Sequence, residues 1–333
     1  MIPAPLQDIR YYSRALLAAS TLIFWACGQT SVLNLETDIS TTAIPEGIAA
    51  DSATGNLYIS SIHEDRIYRI GPDGQGATPI LTRADNGYSL GLGLEIRDGI
   101  LYALSSLDRS PRSILTRYDL STGAFTSHTH ADRDTAQFND LAVTRGGDAF
   151  ITDSRLHRLY KYQRGMDSIR VFLEGGAFRY PNGICLNKEE DILFVASISH
   201  GIRLVDPTNG SLLNTSESQT LGSGIDGMKF HGGYLYFIMN RLVDGGITSG
   251  LYRLPFRRQT LDFGPLETLL EDPEAFPVPT TLAIVNDTLY ALADSQLDHY
   301  DDAAQAISEP EALVPVRIIK FPLQYLEVVV PMG

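Results

Sequence analysis

Four side chains that carry oxygen atoms recur at one position of a repeated sequence pattern. They are Glu46, Asn139, Asn182 and Asp226. Carboxylate and amide oxygens are ligands that hard divalent cations such as Ca²⁺ prefer, and two carboxylates balance the charge of one such ion. Without an ion, the two carboxylates would repel each other, and one would have to be protonated or well solvated. The set therefore predicts a metal site, with polar residues that bond water or shape turns as the alternative.

The repeat that carries these residues begins near residue 40. Each unit joins a short apolar strand, a tight polar turn and a second strand rich in Tyr, Phe, Leu and Ile. The turn sequences TGN, RDG, RGG, KEED, HGG and ND are typical of hairpins. The six units are PEGIAADSATGNLYISS (45–61), LGLGLEIRDGILYALSS (90–106), FNDLAVTRGGDAFITDS (138–154), PNGICLNKEEDILFVAS (181–197), IDGMKFHGGYLYFIMN (225–240) and TTLAIVNDTLYALADS (280–295).

The spacing of the units predicts the fold. Successive units start about 43 to 55 residues apart, near the period of a four-stranded propeller blade. Helical periodicity is scarce, βαβ alternation is absent from the pattern, and a β-sandwich would not repeat six times. We predict an all-β, six-bladed β-propeller of four-stranded blades, as a single domain over residues 34–330. RIIKFPL (317–323) is the candidate strand for closing the ring.

In a propeller, the innermost strands surround the central channel, and their first residues meet at one mouth. The four oxygen-bearing residues would meet there, whereas the second and sixth units have apolar residues or Thr281 at this place. Gly183, after Asn182, would keep side-chain atoms away from the ion. His63 and His200 follow second strands, so we expect them at the same mouth. They could contact a substrate or move protons, with plain surface-loop histidines as the alternative.

The N-terminus has the pattern of an export segment. Arg10 and Arg14 precede a short apolar run (15–26) that ends at Cys27 and is too short to span a membrane. We predict that residues 1–27 direct export. The ending FWAC resembles a bacterial lipobox, so we expect a periplasmic or cell-envelope lipoprotein anchored through Cys27. A simply secreted protein is the alternative.

Composition limits the class of protein and its partners. The 333-residue chain is 44% hydrophobic and has a formal net charge of −14. Such a charge argues against a nucleic-acid partner, and it suits a soluble protein or one that holds hard cations. Two cysteines, Cys27 and Cys185, cannot form a disulfide framework. Cys185 lies in an apolar run and is expected to be buried. We expect a monomer, although the sequence leaves the oligomeric state open.

Four of the motifs resemble those of the gluconolactonase/regucalcin family of six-bladed propellers. They are PEGIA (45–49), FNDLAV (138–143), PNG (181–183) and DGM (226–228). The resemblance covers essentially the whole mature chain. It implies that Glu46, Asn139, Asn182 and Asp226 bind one divalent cation at the channel mouth. Ca²⁺ is the ion we expect, with Zn²⁺, Mn²⁺ and Mg²⁺ as the other candidates.

One position departs from the family pattern. Gluconolactonase-type members often carry Arg two residues before the first Asn of the set, where it contacts a polar substrate. This chain has Gln137 there. Gln137 is therefore our candidate for a substrate contact, together with His63 and His200, and a sugar-acid lactone is not favoured as the substrate.

The oxygen set and the resemblance together imply a divalent-metal-dependent hydrolase of a lactone or related ester. Asp226 is the first candidate for the general base or the group that activates water, and Glu46 is the second. The alternative is a non-catalytic propeller of the cell envelope that binds a ligand or partner and uses a Ca²⁺ ion for rigidity. The letters of two motifs occur, GYSLG (87–91) and GSGIDG (222–227), but the strand-rich pattern offers no strand-to-helix turn for a nucleophile elbow or a dinucleotide-binding site, and no P-loop occurs. We therefore expect neither serine-nucleophile nor nucleotide chemistry.

Overall fold

The computed structural model describes residues 33–130, 135–174, 176, 178–197, 201–213, 224–243 and 246–323. These residues form an almost purely β structure with six main sheets arranged as the six blades of a propeller. The α-helical part is one short segment, Arg83–Asn86. The prediction of an all-β, six-bladed propeller is confirmed. The export segment, residues 1–27 with Cys27, lies outside the described residues.

The first three blades follow the chain from β2 onward. The strands are β1 (Leu33–Glu36), which belongs to blade 6; β2 (Pro45–Ala50), β3 (Leu57–Ser61), β4 (Arg66–Ile70) and β5 (Thr78–Thr82) in blade 1; β6 (Tyr88–Ser89), β7 (Leu94–Arg97), β8 (Ile100–Leu107), β9 (Ser113–Asp119) and β10 (Phe125–Thr129) in blade 2; and β11 (Phe138–Val143), β12 (Ala149–Asp153), β13 (Arg158–Gln163) and β14 (Ser168–Leu173) in blade 3.

The last three blades complete the ring. Their strands are β15 (Pro181–Leu186), β16 (Leu193–Ser197) and β17 (Gly201–Val205) in blade 4; β18 (Ile225–His231), β19 (Tyr234–Val243), β20 (Gly246–Arg257), β21 (Asp262–Phe263) and β22 (Glu267–Leu270) in blade 5; and β23 (Leu282–Val285), β24 (Thr288–Leu292) and β27 (Arg317–Pro322) in blade 6, with the small hairpin β25 (Tyr300–Asp301) and β26 (Ala306–Ile307) inserted before β27. Short 3₁₀ turns cover Thr41–Ala43, Leu297–His299 and Pro310–Ala312.

Six inner strands surround the channel. Each contacts the inner strand of the next blade, in the order β2, β7, β11, β15, β18, β23 and back to β2. We call the end where these strands begin the front mouth, and the end where their hairpin turns lie the rear mouth. Since the strands run side by side in the same direction, equivalent residues of successive blades lie at the same depth.

The ring closes between the two ends of the described chain. In blade 6, β1 pairs antiparallel with β27, with Leu33 opposite Lys320 and Glu36 opposite Arg317. β27 also pairs with β24, so β1 forms the outermost strand of this blade. The predicted closing strand at 317–323 is thus confirmed, and its partner is the first described strand.

Apolar side chains fill the layers between neighbouring blades. Between blades 4 and 5, for example, Cys185 and Phe194 share one core cluster with Met228 and Phe237. Burial raises the pKa of the Cys185 thiol, which fits a small core residue rather than a reactive one. Across the described chain, no helix is long and apolar enough to cross a membrane.

Candidate functional site at the front mouth

A β-bulge occurs near the start of four inner strands. In blade 1, Pro45 pairs with Ser61 and the next paired residue, Ile48, lies opposite Ile59, so that Glu46 falls inside the bulge. The same irregularity interrupts β11, β15 and β18. A bulge breaks the ladder and redirects the side chain next to it. Asn139, Asn182 and Asp226 occupy the bulges of these three strands, at the position that Glu46 has in blade 1.

Strand register identifies the equivalent residues in the other two blades. Leu94 pairs with Ala103, and Leu282 pairs with Ala291, as Ile48 pairs with Ile59. The residues two positions earlier are Leu92 in blade 2 and Thr280 in blade 6. The expectation of Thr281 was therefore wrong by one residue. We define the front ring as Glu46, Leu92, Asn139, Asn182, Asp226 and Thr280.

Hydrogen bonds to main-chain carbonyls join the segments of neighbouring blades that carry the front ring. The amide of Gly93 donates to the carbonyl of Asn139 at 2.9 Å, and the amide of Gly227 donates to the carbonyl of Thr280 at 2.8 Å. The Thr280 hydroxyl in turn donates to the carbonyl of Glu46 at 3.0 Å. These bonds each join neighbouring blades, so the ring residues are positioned by backbone rather than by flexible loops.

Gly183 serves this close approach of backbones. A Cβ atom at this position would lie 2.0 Å from the carbonyl oxygen of Asp226 in the next blade. The sequence suggested that glycine keeps a side chain away from the ion. The structure gives a different reason, because the excluded atom would collide with β18.

The two carboxyl groups of the front ring are held in an unfavourable electrostatic setting. Glu46 is only 8% exposed, and burial, then Asp226 and Asp140, raise its pKa. Burial, then Asp140, raises the pKa of Asp226 to about 7, although a hydrogen bond from the side chain of Asn182 acts in the opposite direction. Neither carboxylate has a salt bridge to any described residue. A proton or a bound cation is needed to relieve their repulsion.

Asp140 is a third buried carboxylate, and the sequence reasoning missed it. Its Oδ1 accepts a hydrogen bond from the amide of Leu141 at 2.8 Å, and its Oδ2 accepts one from the amide of Ile184 at 3.2 Å. Burial raises its pKa, although Lys229 and these two amides lower it. Asp140 thus joins blade 3 to blade 4 just below Asn139 and Asn182. It lies within the motif FNDLAV, but its role depends on a contact between blades.

A buried ion pair crosses the channel below the front ring. Lys229 Nζ in blade 5 lies 3.1 Å from Glu95 Oε2 in blade 2. Burial lowers the pKa of Lys229, but Glu95 and Asp140 outweigh burial and raise it. Both residues also line a rear cavity of about 1420 Å³. The sequence alone did not indicate this pair, because its partners are far apart along the chain.

The donor atoms of the front ring are of the kind that a hard cation would use. No three His, Cys, Asp or Glu side chains cluster closely enough to hold a metal ion anywhere in the described ranges. An ion at the front ring would therefore need the amide oxygens of Asn139 and Asn182 as well as Glu46 and Asp226. Two carboxylates without a cationic partner, beside two amides, fit Ca²⁺ better than a metal that prefers nitrogen or sulfur ligands.

The predicted substrate-contacting residues have different settings. Gln137 is exposed at the front mouth, and its main-chain N–H donates to Asp153 Oδ1 at 3.1 Å. His63 lies edge-on to the ring of Tyr300, with 6.1 Å between the ring centroids. Its Nδ1 is buried and has no hydrogen-bond partner in the described structure. His200 lies outside the described residues.

A front cap, residues 293–316, was not foreseen from the sequence. It connects β24 to β27 and folds towards blades 1 and 2. Tyr300, Leu297, Ile307 and Leu313 of the cap form one apolar cluster with Ile44, Ile62, Leu90 and Leu92. Arg109 fixes the arrangement by donating to Asp65 Oδ2 at 2.8 Å and to the carbonyls of His63 at 2.6 Å and Gln305 at 3.2 Å.

A comparison with sequence models of protein families identifies the family of this chain. The model of the SMP-30/gluconolactonase/LRE-like region matches residues 44–229, more than half of the chain. The protein belongs to the SMP-30/gluconolactonase/LRE-like family. The matched region contains all four oxygen-bearing residues of the front ring, Glu46, Asn139, Asn182 and Asp226.

Solved structures agree with the fold of this SMP-30/gluconolactonase/LRE-like protein. A gluconolactonase from Xanthomonas campestris is 16% identical, with a TM-score of 0.59 over 87% of this chain and 89% of that chain. The PQQ-bound aldose sugar dehydrogenase from Streptomyces coelicolor is 15% identical, with a TM-score of 0.58 over 88% and 99%. Virginiamycin B lyase from Staphylococcus aureus is 15% identical, with a TM-score of 0.56 over 88% and 99%. No curated protein sequence matches the chain.

Proposed function

We propose that the protein is a divalent-cation-dependent hydrolase of a lactone or related ester, acting at the front mouth. The observation that carries this proposal is the pair Glu46 and Asp226, two carboxyl groups with raised pKa values and no cationic partner among the described residues. Membership of the family supports a lactonase-type or related propeller enzyme. The proposed ion is Ca²⁺, and the proposed location is the cell envelope or its exterior.

Each front-ring residue has a part in this proposal. Glu46, Asp226, Asn139 and Asn182 would hold the ion, which would supply Lewis-acid polarisation of the substrate carbonyl. Asp226 would also take a proton from the attacking water, because it is a carboxylate beside the place where the ion and the substrate would meet. Its raised pKa belongs to the metal-free protein, and a bound cation would lower it. The two amides stay neutral and do not compete for that proton. Thr280 would hold the backbone of Glu46 in place through its hydroxyl.

The test is a panel of lactones and aryl esters assayed after chelation and again after addition of Ca²⁺, Mn²⁺ or Zn²⁺. We expect one of these ions to restore turnover. Asp226→Ala should lower kcat/KM by about 100-fold or more, the usual effect of losing a general base. Asp73→Ala, which removes an exposed carboxylate in a turn of blade 1, is the matched control and should leave kcat/KM unchanged.

Turnover that no ion restores, together with an Asp226→Ala variant equal to the wild type, would contradict the hydrolase. A rise in melting temperature on adding Ca²⁺, with every substrate untouched, would instead support a non-catalytic propeller that uses the ion for rigidity.

A further inference from the structure

The class of substrate follows from the residues that surround the front ring, and this inference rests on the hydrolase proposed above. We propose that the front mouth takes an uncharged substrate bearing an alkyl or aryl group, rather than a sugar-derived lactone. Three features of the front mouth point to this class: a second layer of uncharged residues, an apolar wall in blade 2, and two arginines that are paired with carboxylates.

The second layer consists of the residues two positions before each front-ring residue. We call it the outer ring, and its members are Ile44, Leu90, Gln137, Tyr180, Gly224 and Val278. None of them is charged. Ile44, Leu90 and Tyr180 share a left-handed backbone, each with φ of +49°. Such a conformation is rare for large side chains, so its recurrence supports the equivalence of these positions.

Three consecutive outer-ring residues face solvent. Leu90 in blade 2 is half-buried, Gln137 in blade 3 is exposed, and Tyr180 in blade 4 is 46% exposed. The Tyr180 ring also lies edge-on to His157, with 4.5 Å between the ring centroids. A leucine and an aromatic ring therefore flank an uncharged amide. This arrangement offers surface for an alkyl or aryl group and a single amide for hydrogen bonding to a polyhydroxylated ring.

Blade 2 extends this apolar surface into the front ring itself. Leu92, the neighbour of Glu46 in the ring, is half-buried and packs in the same cluster as Leu90 and Tyr300 of the front cap. A substrate whose carbonyl lay beside Glu46 would therefore have hydrocarbon on its blade 2 side. Packing an alkyl chain there removes apolar surface of both partners from water.

Two arginines of the front mouth are already engaged. Arg109 donates to Asp65 Oδ2 at 2.8 Å, and Arg241 donates to Glu271 Oε2 at 3.0 Å. Arg109 follows β8, the second strand of blade 2, and Arg241 lies near the end of β19, the second strand of blade 5. A guanidinium without a carboxylate partner at either place could bind an anionic substrate. Their carboxylate partners leave neither of them free to bind an anionic ligand. The exposed guanidinium of Arg179 lies 5.9 Å from the centroid of the Tyr180 ring.

The first experiment measures binding without turnover. Cyclopentanone and 2-pentylcyclopentanone resemble lactones but cannot be hydrolysed, and calorimetric titration of the Ca²⁺-supplemented protein with each gives two dissociation constants. We expect the pentyl compound to bind at least about 10-fold more tightly, as a hydrophobic pocket for several methylene groups predicts. Equal affinities would overturn the inference.

Two substitutions test which residues contact the pentyl group. Leu92→Ala removes most of the apolar side chain in blade 2 without adding an oxygen atom. Tyr180→Asn removes the aromatic ring and introduces a residue that tolerates the left-handed backbone. Each should reduce the preference for the pentyl compound, whereas Met166→Ala, which truncates an exposed side chain in a rear turn, should preserve it. A preference that survives both front-mouth substitutions would place the apolar ligand elsewhere and overturn the assignment.

A second experiment separates this inference from the proposed hydrolase. δ-Decalactone and glucono-δ-lactone are compared as substrates under the same conditions. Faster hydrolysis of the alkyl lactone supports both proposals. Faster hydrolysis of the sugar lactone supports the hydrolase and overturns the apolar substrate class. If neither is hydrolysed while the ketone preference persists in the wild type and is lost in Leu92→Ala, the ligand class stands and the hydrolase fails.

Discussion

Glu46 and Asp226 lower the stability of the metal-free fold when they ionise at the front ring. Both carboxyl groups are placed where burial and mutual repulsion oppose ionisation. A structural role alone would be served by neutral side chains, as Thr280 demonstrates at the equivalent position of blade 6. The two acids therefore carry a cost in the metal-free protein that a cation would remove.

This cost predicts a pH dependence of stability. The pKa of Asp226 is about 7 in the folded protein and about 4 in an unfolded chain. The folded state therefore binds more protons between these values, and the free energy of unfolding falls as the pH rises from about 4 through 7. Melting curves recorded with a chelator should show this fall in the wild type and a shallower one in Asp226→Asn.

Added Ca²⁺ should raise the melting temperature most at the alkaline end of that range, because the ion replaces the protons. Parallel pH profiles for the wild type and Asp226→Asn would show that Asp226 does not titrate in this way.

Residue types at the site were predictable to the extent that the repeat could be aligned. Glu46, Asn139, Asn182 and Asp226 were identified because each opens a strand of the same kind. Asp140 was not, because its hydrogen bond to the amide of Ile184 joins two blades. Nothing in a single strand reveals such a contact.

At the scale of elements, the inner strands are held at a spacing that leaves no room for a side chain at Gly183. A Cβ there would lie 2.0 Å from the carbonyl of Asp226, and this oxygen belongs to backbone that cannot rotate away. The distance between β15 and β18 therefore depends on one missing atom. The same distance sets how Asn182 and Asp226 meet.

Gly183→Ala should consequently lower the free energy of unfolding by about 1–3 kcal/mol, the usual cost of forcing extra atoms into a packed site. It should also weaken Ca²⁺ binding, since Asn182 and Asp226 must move apart. Urea unfolding and calorimetry measure the two effects. Gly165→Ala is the control, because a Cβ at that position meets nothing within 4 Å. Equal stability of the two variants would contradict this account of the blade spacing.

Hairpin turns and alternating apolar strands made the element order predictable, since both signals are local. The front cap was not, because residues 293–316 lack a repeat and are held by contacts such as that of Arg109 with the carbonyl of Gln305. The prediction of Thr281 in place of Thr280 was wrong for a similar reason. Register depends on pairing with β24, which the sequence pattern specifies only approximately.

At the scale of the whole molecule, Lys229 and Glu95 connect blades 5 and 2 across the channel. In a six-bladed ring, blades three apart are opposite each other, so this pair spans the centre. Both side chains are at least four-fifths buried. Removing Lys229 would leave Glu95 with Arg97, whose Nη2 lies 3.6 Å from Glu95 Oε1, and would take away the ammonium that lowers the pKa of the buried Asp140.

We therefore expect Lys229→Met to lower the free energy of unfolding by about 3–5 kcal/mol. The double variant Lys229→Met with Glu95→Gln should recover part of that loss, because the carboxylate of Glu95 is gone while Asp140 still lacks the nearby ammonium. Lys188→Met, which removes an exposed ammonium at the rear mouth, should have little effect. Chemical denaturation of the four proteins measures these differences. A double variant no more stable than Lys229→Met would show that the loss does not come from the unpaired carboxylate of Glu95.

The pairing of β1 with β27 also determines the order in which the molecule can form. Blade 6 takes one strand from the start of the described chain and the others from its end, so it cannot be completed until almost all of the chain has been synthesised. Until then, blades that fold early leave strand edges with unpaired backbone groups, a surface on which other chains can add. Contacts between such distant residues form slowly. A ring that has not yet closed would therefore be the form of this chain most prone to add other chains at its strand edges.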